Sequence, residues 1–350
     1  MSSSVPTEFK EFVRRYWPFS DQEMSDDWHA LSGDAGFRRY FRAGGTATVI
    51  AANSPPTKEQ NLAYVKISRL LAELGVRVPA IFAVDFGQGY FVLEDLGDGL
   101  LQDQLSRNDT QSVYTKAMEQ LGLIQSCAAQ PDFIPAYDRQ MLIDEMALFV
   151  TWFAEKLLGA TIDQHRKARI QDLFEFLAEQ ALQQPKTLVH RDFHARNLMT
   201  LQNGELAVID FQDAVWGPIT YDLASLGRDC YVRWSRDRLD TFVEQSADQL
   251  LSAGQINTAQ RAEFRQWFDL MGLQRHIKVL GIFSRLSLRD GKHRYLRDLP
   301  LVLRYTLEVM EQYDACKEMS DWMTDELIPV CVDQDWYSDW QTAGSESELA

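Results

Sequence analysis

The sequence predicts an α+β fold with a small antiparallel-sheet lobe followed by a large, mostly helical lobe. Three observations lead there. Segments with strand-like patterning crowd into the first hundred residues, separated by turns that carry Gly or Pro. Long stretches of helical periodicity dominate after Gly97. One short β island, near residues 188–210, interrupts the helices. Strands at the front and helices at the back indicate segregated layers, not a doubly wound sheet. The expected division is 1–97 for the N-lobe and 98–337 for the C-lobe, with 338–350 a disordered polar tail.

The elements follow in order. Phe9, Phe12, Val13, Tyr16 and Trp17 recur at helical spacing, which predicts an opening amphipathic helix. Residues 37–42 and 46–52 read as strands about a Gly44-Gly45 turn. Pro55-Pro56 stops the second strand, and Thr57 with Gln60 reads as a capping box. The helix that follows carries Ala63, Ile67, Leu70, Leu71 and Leu74 on one face and ends at Gly75. Residues 80–85 and 90–94 form a second hairpin. Helices are predicted over 108–129, 138–158 and 163–182, and again from Tyr221 to about residue 327.

Composition bounds the function. With 45% hydrophobic and 25% charged residues over 350 positions, the chain is globular. A formal charge of −16 argues against nucleic acid or an anionic membrane as the main partner. Cys127, Cys230, Cys316 and Cys331 show no CxxC spacing, so neither a zinc knuckle nor a disulfide scaffold is expected. With no secretory leader pattern and no uncharged apolar window of membrane-spanning length, a cytoplasmic protein with no obligate protein partner is expected.

The β island carries the chemistry. Residues 188–214 read LVHRDFHARNLMTLQNGELAVIDFQDA. A two-residue Asn203-Gly204 turn would pair Leu201 with Leu206, Leu198 with Ile209, and Asn197 with Asp210. An amide oxygen and a carboxylate that face each other can share one hard cation such as Mg²⁺. Asp192, on the entering loop, would stand near that ion as a free carboxylate. A metal pair beside a free base is the equipment of phosphoryl transfer. His190 is expected to shape the loop, and Asp222 to tie it down from below.

HRDFHARN at 190–197 resembles the catalytic loop of the aminoglycoside-phosphotransferase and choline-kinase branch of the protein-kinase-like fold, and DFQD at 210–213 its metal-binding segment. Four further blocks resemble one subgroup, the anomeric kinases of N-acetylmuramate and N-acetylglucosamine. They are GDAGFRRYFR at 33–42, LEDLGD at 93–98, YDLASL at 221–226 and QRHIKVLGIF at 274–283. The resemblance implies a bilobal kinase-like fold, ATP and Mg²⁺ as cofactors, and Asp192 as base with Asn197 and Asp210 as metal ligands. It further implies phosphorylation of the C1 hydroxyl of an N-acetylated amino sugar in cell-wall sugar recycling. Gly33 and Asp34 would lie over the ATP phosphates, and the backbone of Glu94 to Leu96 would meet adenine. The rival readings are a phosphotransferase for an aminoglycoside or amino alcohol, and a nucleotide-binding pseudokinase.

One departure matters. Kinases place a phosphate-holding lysine on the strand after the first hairpin. Here that strand, 46–52, has none. Arg38, Arg39 and Arg42 on the neighbouring strand can supply the charge, since a guanidinium binds phosphate bidentately. Alternation puts Arg38 and Arg42 on one face and Arg39 with Phe41 on the other. The pair Arg38 and Arg42 is therefore expected to meet phosphate, and Arg39 to be buried or salt-bridged. Lys58 and Lys66 are the next candidates. For the sugar, Glu145, Trp152, Asp213, Arg228 and Asp229 are the candidate contacts.

Overall fold

A computed structural model describes residues 5–31, 37–105, 110–128 and 132–345, and its architecture is α+β, as the sequence predicts. The chain gathers into two compact units that do not follow a single cut. The first comprises Met1–Leu101, Val113–Ile124 and Asn197–Ala214; the second holds the rest. The hairpin after the catalytic loop thus belongs with the first hundred residues.

The first unit is built on a five-stranded antiparallel sheet in the order β1-β2-β3-β5-β4. Its strands are β1 (Trp28–Leu31), β2 (Arg39–Gly44), β3 (Thr48–Asn53), β4 (Ile81–Asp85) and β5 (Tyr90–Glu94). Helix α1 (Thr7–Arg15) presses Phe9 and Val13 onto Phe41, Ala43, Val49, Ala51 and Val92. Burial of these apolar side chains is what holds the helix to the sheet. Strand β1 escapes sequence reading. It has four residues and its middle two are exposed, so it shows no alternation. Helix α2 (Asn61–Glu73) follows a turn at Pro55-Pro56. The expected Thr57–Gln60 capping box does not form: Gln60 is the N-cap and its side chain makes no capping bond. Asn61 instead reaches back to Ser54.

The second unit is helical. After α3 (Leu101–Gln104) and α4 (Thr110–Gln125), the latter mostly in the first unit, come α5 (Arg139–Leu148), α6 (Gln164–Leu182), α7 (Tyr221–Gly227), α8 (Arg236–Ser252), α9 (Thr258–Asp290) and α10 (Leu299–Met310). The predicted single helix over 138–158 widens into a π-helix at Phe149–Leu157. The 33-residue α9 runs through the core and packs on this π segment, on α5 and on α10. Within residues 338–345, Arg304 donates to the Ala343 carbonyl and the Ser345 hydroxyl, both at 2.8 Å. Residues 346–350 lie outside the described residues. No helix among the described residues is long and apolar enough to cross a membrane.

At Gly281, α9 comes close to the junction of α5 and the π segment. A Cβ there would lie 2.3 Å from the Leu148 carbonyl carbon and 2.5 Å from the Phe149 nitrogen. Backbone cannot swing aside as a side chain can, so Gly281→Ala should force α9 off the π segment. The expected loss is about 1–3 kcal/mol of stability. Denaturant melts of the two proteins check this; coincident curves would mean the helices part freely.

Candidate active site

Two segments of the β island carry the candidate residues, and each is described within its own unit. In the second unit, β6 (Lys186–Val189) pairs antiparallel with β9 (Val215–Pro218) and feeds the catalytic loop. In the first, β7 (Leu198–Thr200) and β8 (Leu206–Val208) form the hairpin flanked by Asn197 and Asp210.

The catalytic loop is held at both ends by buried carboxylates. Asp222, on α7, accepts from the backbone N–H of His190 at 2.6 Å and of Arg191 at 3.0 Å. Asp229 accepts from Ala195 N–H at 2.8 Å and from Tyr231 N–H at 3.0 Å. These anchors let Arg191 adopt a left-handed φ of 77°, a conformation that needs surrounding support. The buried His190 accepts from the Asp192 N–H, which is the loop-shaping role expected of it. Burial pushes the Asp222 carboxyl up to about 7 against its two backbone donors. Replacing Asp222 by Asn leaves an amide NH₂ facing a backbone N–H. This change should lower both thermal stability and kcat, with about 1–3 kcal/mol lost for the unpaired donor. A melt and a turnover assay read the two effects, and an unchanged kcat would mean the loop does not depend on the carboxylate.

Around Asp192 the second unit collects positive charge. Burial raises the Asp192 carboxyl, but Lys278, His194, Arg191 and Arg275 outweigh it and hold the group below the usual carboxylate range. Lys278, buried on α9, lies 3.1 Å from Glu145 Oε1 and donates to the Tyr221 hydroxyl at 3.1 Å. Glu145 also pairs with Arg191 and accepts from the Tyr137 hydroxyl. The role of Lys278 is not evident from the 274–283 block in which it stands. Its signal was a lysine between Ile277 and Val279 in an apolar helical stretch, where a charge is retained only with partners.

The expected sugar contacts divide. Glu145 is engaged as described. Arg228 is buried against Asp269 at 2.5 Å, with its guanidinium 4.9 Å from the Phe268 ring centre. Asp229 anchors the loop. Trp152 is half-buried on the π segment with Lys156 Nζ 3.6 Å over its ring, and Asp213 is exposed.

The β7–β8 hairpin differs from expectation in register. Leu198 faces Val208, Met199 faces Ala207, and Thr200 faces Leu206. Asn197 therefore meets Ile209, whose N–H donates to the Asn197 carbonyl at 3.0 Å, and not Asp210. The cause is the turn. Gly204 adopts φ +79° and its N–H closes on Leu201 O at 2.9 Å, giving a three-residue loop where two were assumed. The Asn203 side chain accepts from Glu205 N–H and braces that loop. One residue beyond the ladder, Asp210 takes a left-handed φ of 65°, so the chain turns there. Its Oδ1 accepts from Gln212 Nε2 at 2.8 Å, and the residue is exposed. An amide and a carboxylate supply the oxygen donors that a hard dication takes.

The nucleotide-side residues also sort themselves. Gly33 and Asp34 lie outside the described residues. The Glu94 backbone N–H bonds Ala80 O, and its carboxylate pairs with Arg77. Leu96 is half-buried in the segment after β5. Arg39, expected buried or salt-bridged, is exposed at the first position of β2. Arg42 makes four bonds to the carboxylates of Asp95 and Asp98, at 2.6–3.0 Å. Arg38 is buried beside Ser54, Tyr40, Tyr64 and Glu59.

Comparison with known proteins adds the following. The model of the phosphotransferase enzyme family matches residues 27–264. The N-acetylmuramate/N-acetylglucosamine kinase of Pseudomonas putida is 38% identical over 293 residues, covering 83% of this chain and 86% of the relative. Among solved structures, the choline kinase of Cryptosporidium parvum aligns with a TM-score of 0.62 at 14% identity, covering 91% of this chain and all of that one. ADP-bound aminoglycoside phosphotransferase APH(2'')-Ib aligns with a TM-score of 0.55 at 13% identity, covering 87% and 99%. At such identities these structures establish a shared fold.

Proposed function

Because the chain belongs to the phosphotransferase enzyme family, we propose that it transfers phosphate from ATP to the C1 hydroxyl of N-acetylmuramate, N-acetylglucosamine or both, in cytoplasmic recycling of cell-wall sugars. One observation carries the catalytic half of this reading: Asp192 rides on a loop anchored at both ends by Asp222 and Asp229. A fixed carboxylate, kept ionised by the cations around it, is suited to orient an acceptor hydroxyl and take its proton. The acceptor half is supported by the relative, 38% identical, that is named for these two sugars.

In this reading Asn197 and Asp210 hold Mg²⁺, which supplies neutralisation of phosphate charge when bound. Asp192 takes the proton as the sugar oxygen attacks. Asp222 and Asp229 fix the loop, so little reorganisation is needed during the reaction.

A phosphotransfer screen tests the proposal. ATP–Mg²⁺ is offered with N-acetylmuramate, N-acetylglucosamine, aminoglycosides and choline, and the phosphorylated position is read by NMR. Turnover confined to the amino sugars, at C1, is expected. Phosphate on another hydroxyl, or turnover only with aminoglycosides or choline, would refute it.

A further inference from the structure

Among the described residues, β3 offers no lysine, and the only glutamate of α2 is the exposed Glu73 in its last turn. The usual lysine–glutamate pair that holds nucleotide phosphates therefore has no counterpart at its ordinary positions. We propose that Arg38 and Glu59 form a relocated pair, in which Arg38 binds the phosphates of a nucleoside di- or triphosphate and Glu59 positions it. This inference rests on the kinase reading above.

Arg38 is built into place. It is 8% exposed. Its Nε donates to Ser54 Oγ at 3.0 Å, and Ser54 is itself bonded to Asn61, the first residue of α2, at 2.5 and 2.8 Å. Its Nη1 donates to the Tyr40 hydroxyl at 3.3 Å, and the guanidinium lies 4.9 Å from the Tyr64 ring centre. These contacts leave one edge uncommitted. Nη2 is buried with no hydrogen-bond partner and stands 3.6 Å from Glu59 Oε2, an ion pair without a hydrogen bond. The other Glu59 oxygen accepts from Phe37 N–H at 2.8 Å, so Glu59 is fixed while it faces the guanidinium. A buried donor left unsatisfied is costly, and a phosphate oxygen would satisfy it bidentately with its neighbour.

The surroundings fit the same ligand. Tyr64 stacks on Phe211 at 4.9 Å, next to Asp210. Tyr64 thus links Arg38 on one side to Phe211, the neighbour of the proposed metal ligand Asp210, on the other, all within the first unit. The other basic residues are poorly placed for this task. Arg42 is neutralised by Asp95 and Asp98. Arg39, Lys58 and Lys66 are exposed.

The test compares ATP, ADP and adenosine binding by calorimetry in the wild type, Arg38→Met, Arg38→Lys, Glu59→Gln and Arg42→Met. Arg38→Met should weaken ATP and ADP by about tenfold or more while adenosine stays within about twofold. Arg38→Lys should recover part of the loss. Glu59→Gln should weaken ATP less than Arg38→Met does. Arg42→Met should leave the ratio of ATP to adenosine affinity unchanged. Equal losses for adenosine and ATP in Arg38→Met and Arg38→Lys would make Arg38 a strut between β2 and α2, and retained ATP affinity would likewise overturn the proposal. A wild type that binds no ATP would instead sink the kinase reading itself.

Discussion

Asp192→Asn should abolish sugar phosphorylation while ATP still binds. The amide keeps the size of the side chain but cannot accept a proton, and loss of a general base costs about 10²–10⁴ in rate. The loop should stay folded, because Asp222 and Asp229 still anchor it through the backbone N–H groups of His190, Arg191 and Ala195. The pH profile gives a second check. With positive charges holding the Asp192 carboxyl below its ordinary range, activity dependent on its ionised form is complete above the usual carboxylate pKa and falls only at more acid pH. Single-turnover rates and ATP affinity in the variant separate chemistry from binding. More than half of the wild-type kcat in Asp192→Asn would rule the residue out as base.

Asp210→Ala should be as inactive and should shift Mg²⁺ dependence strongly upward, with Asn197→Ala showing the same defect more weakly. Asp210 removes a charge as well as a ligand; Asn197 removes only a neutral oxygen. The hairpin register does not put the two residues directly opposite, so the shared defect is a demanding test. If the two belong to one ion, raising Mg²⁺ should partly rescue Asn197→Ala and leave Asp210→Ala largely dead. Unchanged Mg²⁺ titrations in either variant would dissolve the pair. Asp210→Asn keeps the oxygen donor and should fall between them.

Much of this protein is legible along the chain because its signals are local. Helical periodicity marks α1, α2 and α6 through apolar spacing that any reader of the sequence sees. The loop at 190–197 is likewise contiguous, so Asp192 is legible as a candidate along the chain, and Asp222 takes the anchoring place expected of it. Turn chemistry is less complete. Asn203-Gly204 identifies a hairpin, yet the same dipeptide serves two- and three-residue loops, and that difference moves the register by one position.

Charge pairing is what only the tertiary structure decided. Arg38 and Arg42 look equivalent in the sequence, four residues apart on one strand face. Folding brings two carboxylates, Asp95 and Asp98, onto Arg42 from 53 and 56 residues away, and leaves Arg38 with one buried edge unsatisfied. Arg228 and Glu145 suit a sugar by residue type, but α9 delivers Lys278 to Glu145 and Asp269 to Arg228. Residue type states what a side chain can bind. Whether its charge is already matched depends on groups distant in the chain, and burial makes that match decisive, since a low dielectric magnifies each pair and penalises each unpaired charge.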